Sequence, residues 1–201
     1  MKRSQINKGL NDAITCFKAA NWALPPHPRW DVTDCGMGQF DRFGLVLVNL
    51  TEQPEYCEKL MYSKFRQVTP MHAHHKKKED IICRNGRLAI ELWARHPERT
   101  TKGEIFSLCR NGQKVEVRSG EPLILEAGER VTIVPGIYHA FWPESREAII
   151  GEVSTANDDA NDNFFVNPTI GRFPPIEEDE PPIARLLWES QNHICANGHA
   201  S

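Results

Sequence analysis

Paired cysteines, long apolar runs and an excess of positive charge are all scarce in this 201-residue chain. Its six cysteines (Cys16, Cys35, Cys57, Cys83, Cys109, Cys195) are scattered with no C-x-x-C pair. A chain of this length does not need disulfides for stability, so they read as reduced thiols and the expected location is cytoplasmic. No apolar run is long enough to span a bilayer, and the N-terminal stretch mixes charge and Asn through its apolar positions, which excludes a signal-peptide core and a membrane partner. The formal net charge is −3, with Lys and Arg spread along the chain. The electrostatic footprint of a nucleic-acid binder is therefore missing.

With 40% hydrophobic and 25% charged residues, the chain suits one globular domain with a sizeable core. Ser4, an N-cap candidate, precedes Ile6, Leu10, Ala13, Ile14 and Phe17 at helical spacing, which predicts an amphipathic helix from about 4 to 20. "LPPHP" then ends it. From about 43 to 153 the pattern changes to short β-rich runs such as "FGLVLVNL", "YCEKLMYSKF", "RLAIELWA" and "REAIIGEV", punctuated by Asn-Gly, Ser-Gly and Ala-Gly. Such runs predict an antiparallel all-β sandwich or barrel, with both "CRNG" segments, 83–86 and 109–112, as hairpin turns. The expected division is a helix and extended arm over 1–42, a barrel over 43–153 and an ordered C-terminal arm and tail over 154–201, all in one structural domain. The apolar anchors Phe164, Phe165, Ile170, Phe173, Ile176 and Leu186 make the arm ordered, while "HICANGHAS" reads as a frayed end.

"TPMHAHHKKKEDI" carries the chemistry. Alternate side chains of a strand share a face, so His72 and His74 point the same way, the spacing needed for two imidazoles to share one metal. A turn after them brings Glu79 back on the adjacent strand as an anionic third ligand. About sixty residues on, the Pro135-Gly136 turn places His139 on a neighbouring strand as a fourth. Three imidazoles and one carboxylate leave two positions open on an octahedral ion; such a set suits Mn, Fe, Co, Ni or Zn.

The joint pattern H-x-H-x4-E followed by P-G-x-x-H, on short strands, resembles the two motifs of the cupin superfamily. His72, His74, Glu79 and Gly86 match the first motif, and Gly128, Pro135, Gly136 and His139 the second, with Trp142 where an Asn is usual. The resemblance implies a cupin double-stranded β-helix, an antiparallel jelly-roll barrel. "QVTPMHAHHKKKEDIICRNG", "PGIYHAFW", "GEVSTANDDANDNFF" and "IGRFPPIEEDEPP", with "MKRSQIN" and "LPPHPRWDVTDCGMGQFDRFGL", look like the cupin-type D-lyxose isomerases. Membership implies interconversion of D-lyxose and D-xylulose, D-mannose and D-fructose as a second pair, Mn as the usual metal, and a homodimer. The alternatives are a phosphosugar isomerase, another cupin sugar enzyme, or a non-catalytic sugar-binding cupin.

Moving a carbonyl between C1 and C2 needs a Lewis acid to hold O1 and O2, and either a proton carrier or a hydride shift. Among Lys76, Lys77 and Lys78 the resemblance favours the first two, and Lys77 is chosen to stabilise the developing oxygen charge or relay a proton. The carboxylate candidates are Glu152, Asp162, Glu177 and Glu178. Arg172 is expected to anchor a hydroxyl or orient the acid. Phe141, Trp142 and Phe173 are candidates for the pocket wall.

Overall fold

The structure is a computed structural model, and it describes residues 1–155, 162–170 and 175–189. A helix α1 (Arg3–Ala19) and a short helix α2 (Phe40–Phe43) accompany thirteen strands. The strands are β1 (Arg29–Thr33), β2 (Leu45–Glu52), β3 (Tyr56–Lys64), β4 (Thr69–His74), β5 (Glu79–Asn85), β6 (Arg87–Trp93) and β7 (Ile105–Arg110). They continue with β8 (Gln113–Arg118), β9 (Leu123–Glu126), β10 (Arg130–Ile133), β11 (Tyr138–Pro143), β12 (Glu147–Thr155) and β13 (Asn163–Phe165). One sheet runs β1-β2-β3-β12-β5-β10-β7-β8 and the other β13-β4-β11-β6-β9. The ladders within both sheets are antiparallel, as the jelly-roll expectation requires.

Two cores divide the strand side chains. Between the sheets lie Leu47, Met61, Ile81, Leu88, Ile90, Leu125, Val131, Phe141 and Ile150. Behind the larger sheet, α1 presents Ile6, Leu10, Ala13 and Phe17 to Trp30, Val32, Val46, Val48, Leu60, Tyr62 and Ile149. The β1, β2, β3 and β12 region is thus covered on both faces, which is why "LVLV" at the start of β2 is a continuous apolar run without alternation.

The arm closes on the helix. Ser4 does not cap α1: the N-cap is Lys2, whose N–H donates to Gln5 Oε1 at 2.9 Å. Asp179, from the other end of the chain, accepts from the backbone N–H of Ser4 at 2.9 Å and from its hydroxyl at 2.7 Å. Arg3 N–H donates to the Glu177 carbonyl at 2.8 Å. First-turn amides that local sequence leaves open are therefore satisfied by tertiary contact.

Two further expectations change. β1 lies in the segment read as an extended arm, so the first barrel strand precedes residue 43. Of the two "CRNG" segments, only 109–112 closes a hairpin, with Asn111 and Gly112 both at positive φ between the paired β7 and β8. At 83–86 the chain turns a corner, since β5 and β6 lie in different sheets. Gly86 has φ +84°, and a Cβ there would lie 2.5 Å from Ser145 Oγ and 2.6 Å from the Glu147 carbonyl oxygen.

Candidate metal centre and active-site cavity

His72 and His74 alternate inward from β4, and His139 on β11 sits directly across the ladder from His72. The Pro135-Gly136 turn fixes this alignment, because Gly136 (φ +85°) donates its N–H to the His74 carbonyl at 2.9 Å. Glu79 arrives differently from the expectation. It opens β5 in the larger sheet, so it reaches the histidines across the barrel interior and not from an adjacent strand. Sheet packing, not a hairpin, supplies the anionic member.

The four ligand atoms lie within 4.8 Å of one another, and all four residues are buried. Glu79 Oε1 is 2.9 Å from His139 Nε2 and 3.2 Å from His74 Nε2, yet none of these three atoms has a partner in hydrogen-bond geometry. His72 Nδ1 donates to the Pro70 carbonyl at 2.8 Å and His139 Nδ1 to the Ile137 carbonyl at 3.3 Å. A carbonyl only accepts, so both Nδ1 atoms carry the proton and both Nε2 lone pairs are free for a ligand. Burial, then the neighbouring His139 and His74, holds the His72 imidazole well below its usual range. Burial opposes ionisation of Glu79, but Lys77 and His139 outweigh it and hold the carboxyl well below the usual carboxylate value. Three imidazoles and one carboxylate, all buried and with His74 Nε2, His139 Nε2 and Glu79 Oε1 left without hydrogen bonds, fit a divalent cation.

Beside the cluster is a line of charges. Lys77 Nζ lies 2.9 Å from Glu79 Oε2 and donates to Glu152 Oε1 at 3.1 Å, and Lys59 Nζ lies 3.5 Å from that same Glu152 oxygen. Of the three successive lysines, only Lys77 turns inward; Lys76 and Lys78 are exposed. Asp162 shapes this turn by accepting from the backbone N–H groups of Lys76 and Lys77, both at 2.8 Å. Burial opposes its ionisation, but these amides hold its carboxyl below the usual range. The next residues, β13, pair with β4 and set Phe165 against His72 with ring centroids 5.4 Å apart.

A cavity of about 110 Å³ joins these groups; the four cluster residues, Lys77, Glu152, Lys59, Asp31, Phe141 and Phe165 are among its lining. Trp142 is absent from that lining; its indole N–H donates to Glu144 Oε1 at 2.8 Å. Glu177 and Glu178 are also elsewhere. Glu177 is exposed beside Lys2 at 3.9 Å, and Glu178 is bound to Arg3, so the structure does not bring the acidic run of the arm to the cavity. Arg172 and Phe173 lie outside the described residues.

Lys59 and Asp31 were not among the residues expected at the site. A signal for Lys59 exists in the phase of β3, where Cys57, Lys59, Met61 and Ser63 share the inner face. Asp31 has no comparable signal, because its five-residue strand is too short to show a period.

A two-sheet antiparallel barrel with three imidazoles and a carboxylate converging inside defines a cupin-type fold with a cluster suited to a divalent ion. The same fold is found in the crystal structure of Cellulomonas parahominis L-ribose isomerase with L-ribose, at a TM-score of 0.62 and 15% identity, covering 88% of this chain and 98% of that one. The family model described as D-lyxose isomerase matches residues 27–190. A D-lyxose/D-mannose isomerase of Escherichia coli O157:H7 is 39% identical over 90% of this chain and 94% of its own, and one of Serratia proteamaculans is 40% identical over 83% and 77%. The chain belongs to the D-lyxose isomerase family.

Proposed function

We propose that this D-lyxose isomerase family member interconverts D-lyxose and D-xylulose, with D-mannose and D-fructose as its second pair, and that manganese is its working metal. The observation that carries the reading is the convergence of His72, His74, Glu79 and His139 in one cavity with the buried Lys77–Glu152 pair. His72, His74, Glu79 and His139 would hold the ion, and when bound it supplies Lewis-acid polarisation of the sugar carbonyl.

The reaction moves one proton from C2 to C1 and another from O2 to O1. Glu152, a carboxylate inside the cavity, is the group of the right kind to carry the carbon-bound proton. Lys77, an ammonium with three donors, covers the oxygens: it stabilises negative charge as it develops and moves the hydroxyl proton between them. Burial of both side chains strengthens these interactions and limits exchange with bulk water.

A phosphosugar would require a basic clamp. Lys76 and Lys78 are exposed, and the two lysines that line the cavity, Lys77 and Lys59, both sit against carboxylates, which argues against a basic clamp for phosphate among the described residues. Free sugars are the better substrates on this ground. The reading also includes a homodimer and a cytoplasmic location; the five described cysteines, all free thiols, support the latter.

The test is a panel of free and phosphorylated aldoses and ketoses assayed after metal stripping and reloading with Mn, Co, Ni, Fe or Zn. The expected result is D-lyxose turnover restored most strongly by Mn. Turnover confined to phosphorylated sugars, or sugar binding without turnover under every metal, would overturn it.

A further inference from the structure

The inner face of the larger sheet carries the apolar side chains Leu45, Leu47, Met61, Ile81 and Ile150. A chain of polar side chains crosses it from the cluster outwards: Glu79 on β5, Glu152 on β12, Lys59 directly opposite Glu152 on β3, then Asp31 and Thr33 on β1. All five line the same cavity. Asp31 is 2% exposed, and its ladder row continues through Leu47, Met61 and Ile150. The strand is held in place from behind, because Trp30 and Val32 point the other way into the core under α1.

With C1 and C2 of the sugar at the histidines and Lys77, the rest of an open-chain substrate extends along the cavity, and its polar stripe leads to β1. We propose that Asp31, supported by Thr33 and reached past Lys59, binds the hydroxyls at the far end of the sugar and sets the preference between five- and six-carbon substrates. This rests on the isomerase reading, which orients the sugar. The chemistry is specific. An ionised carboxylate accepts from two adjacent hydroxyls at once. D-lyxose and D-mannose share their configuration from C2 to C4 and differ only beyond C4, so discrimination between them must come from the end of the cavity remote from the reacting carbons.

The experiment compares the manganese-loaded native protein with Asp31→Asn and Asp31→Glu, following kcat and KM for D-lyxose and D-mannose, the Kd for the unreactive alditol D-arabinitol, metal content and melting temperature. Asp31→Asn keeps the shape and removes the charge; it is expected to raise both KM values and the alditol Kd about tenfold or more, the loss typical of a charged hydrogen bond, with metal content unchanged. Asp31→Glu keeps the charge and shortens the cavity by one methylene; kcat/KM for D-mannose is expected to fall about fivefold further than for D-lyxose. A merely structural role moves the melting temperature but not the ratio of the two sugars. Unchanged KM, Kd and sugar preference in these variants overturns the inference, and Asp31→Glu decides alone if the Asn variant does not fold. Absence of ketose from the native protein with every metal would instead sink the isomerase reading, while the alditol titration still reports on Asp31.

Discussion

Among the described residues, Arg3 and Lys77 are buried cations that each lie between two carboxylates, in two different settings. Arg3, with its side chain fully buried, donates to Glu178 Oε1 and Oε2 at 2.6 and 2.8 Å, and to Glu189 Oε1 and Oε2 at 2.6 and 3.2 Å. Lys77 reaches Glu79 at 2.9 Å and Glu152 at 3.1 Å, one oxygen of each. The guanidinium is a planar fork that does not lose its proton in proteins, and here hydrogen bonding to Glu178, opposed by burial and reinforced by Glu189, raises its affinity for that proton further. It ties the N-terminal helix to the arm. The ammonium is a point donor on a flexible stem, in the wall of a cavity and near the Nε2 atoms of His74 and His139, which have no hydrogen bond. One charge pattern therefore acts as a clamp between helix and arm in one place and, on the proposed reading, as a proton-handling pair in a cavity wall in the other.

Substitutions at the two places should separate the roles. The largest effect belongs to the cluster itself: His139→Ala is expected to lower activity on the order of 10³-fold, with bound metal lost in elemental analysis. Lys77→Met is expected to cost about 10²–10³ in kcat while metal stays bound; full activity would remove Lys77 from the chemistry. Arg3→Met leaves the largely buried Glu189 with only Arg185 at 3.4 Å and the Leu186 N–H, and should lower folding stability by about 2 kcal/mol in chemical denaturation, with kcat of the folded protein unchanged. A change in kcat there would break the contrast.

The clamp also has a pH dependence of known sign. Glu178 and Glu189 have carboxyls held below their ordinary value of 4.5. Their contribution is full above that value and is lost as pH falls through the depressed folded-state values. The stability gap between native protein and Arg3→Met is therefore expected to close as denaturation is measured from pH 6 down to the acid side of about pH 4. The smallest effect is predicted for Glu177→Gln. Its carboxylate is exposed and 3.9 Å from Lys2, so activity should stay within about twofold of native; a large loss would place the acidic run at the site after all.

The arm shows why part of the site was illegible. "EEDE" and the carboxylates of the cavity are chemically alike, and a charge run carries no mark of the surface it will meet. Glu178, Asp179 and Glu180 each meet a residue near the start of α1, at Arg3, Ser4 and Asn7, contacts separated by more than 170 positions in the chain. Lys59 carried a readable trace because it shares a phase with Met61. Asp31 did not, since its short strand follows a proline-rich segment and offers too few residues to establish alternation.

What the sequence determined by itself is what short-range geometry determines. The two-residue period put His72 and His74 on one face, the Pro135-Gly136 turn set His139 beside them, and repeated short strands with turn residues between them required an antiparallel barrel. Tertiary structure decided the rest: Glu79 comes from the opposite sheet, Lys77 and not its neighbours turns inward, and the acidic arm ends on the helix. These are matters of which surfaces exclude water from one another. That is settled cooperatively, when both sheets, the helix and the arm close together, and no local stretch of the chain contains it.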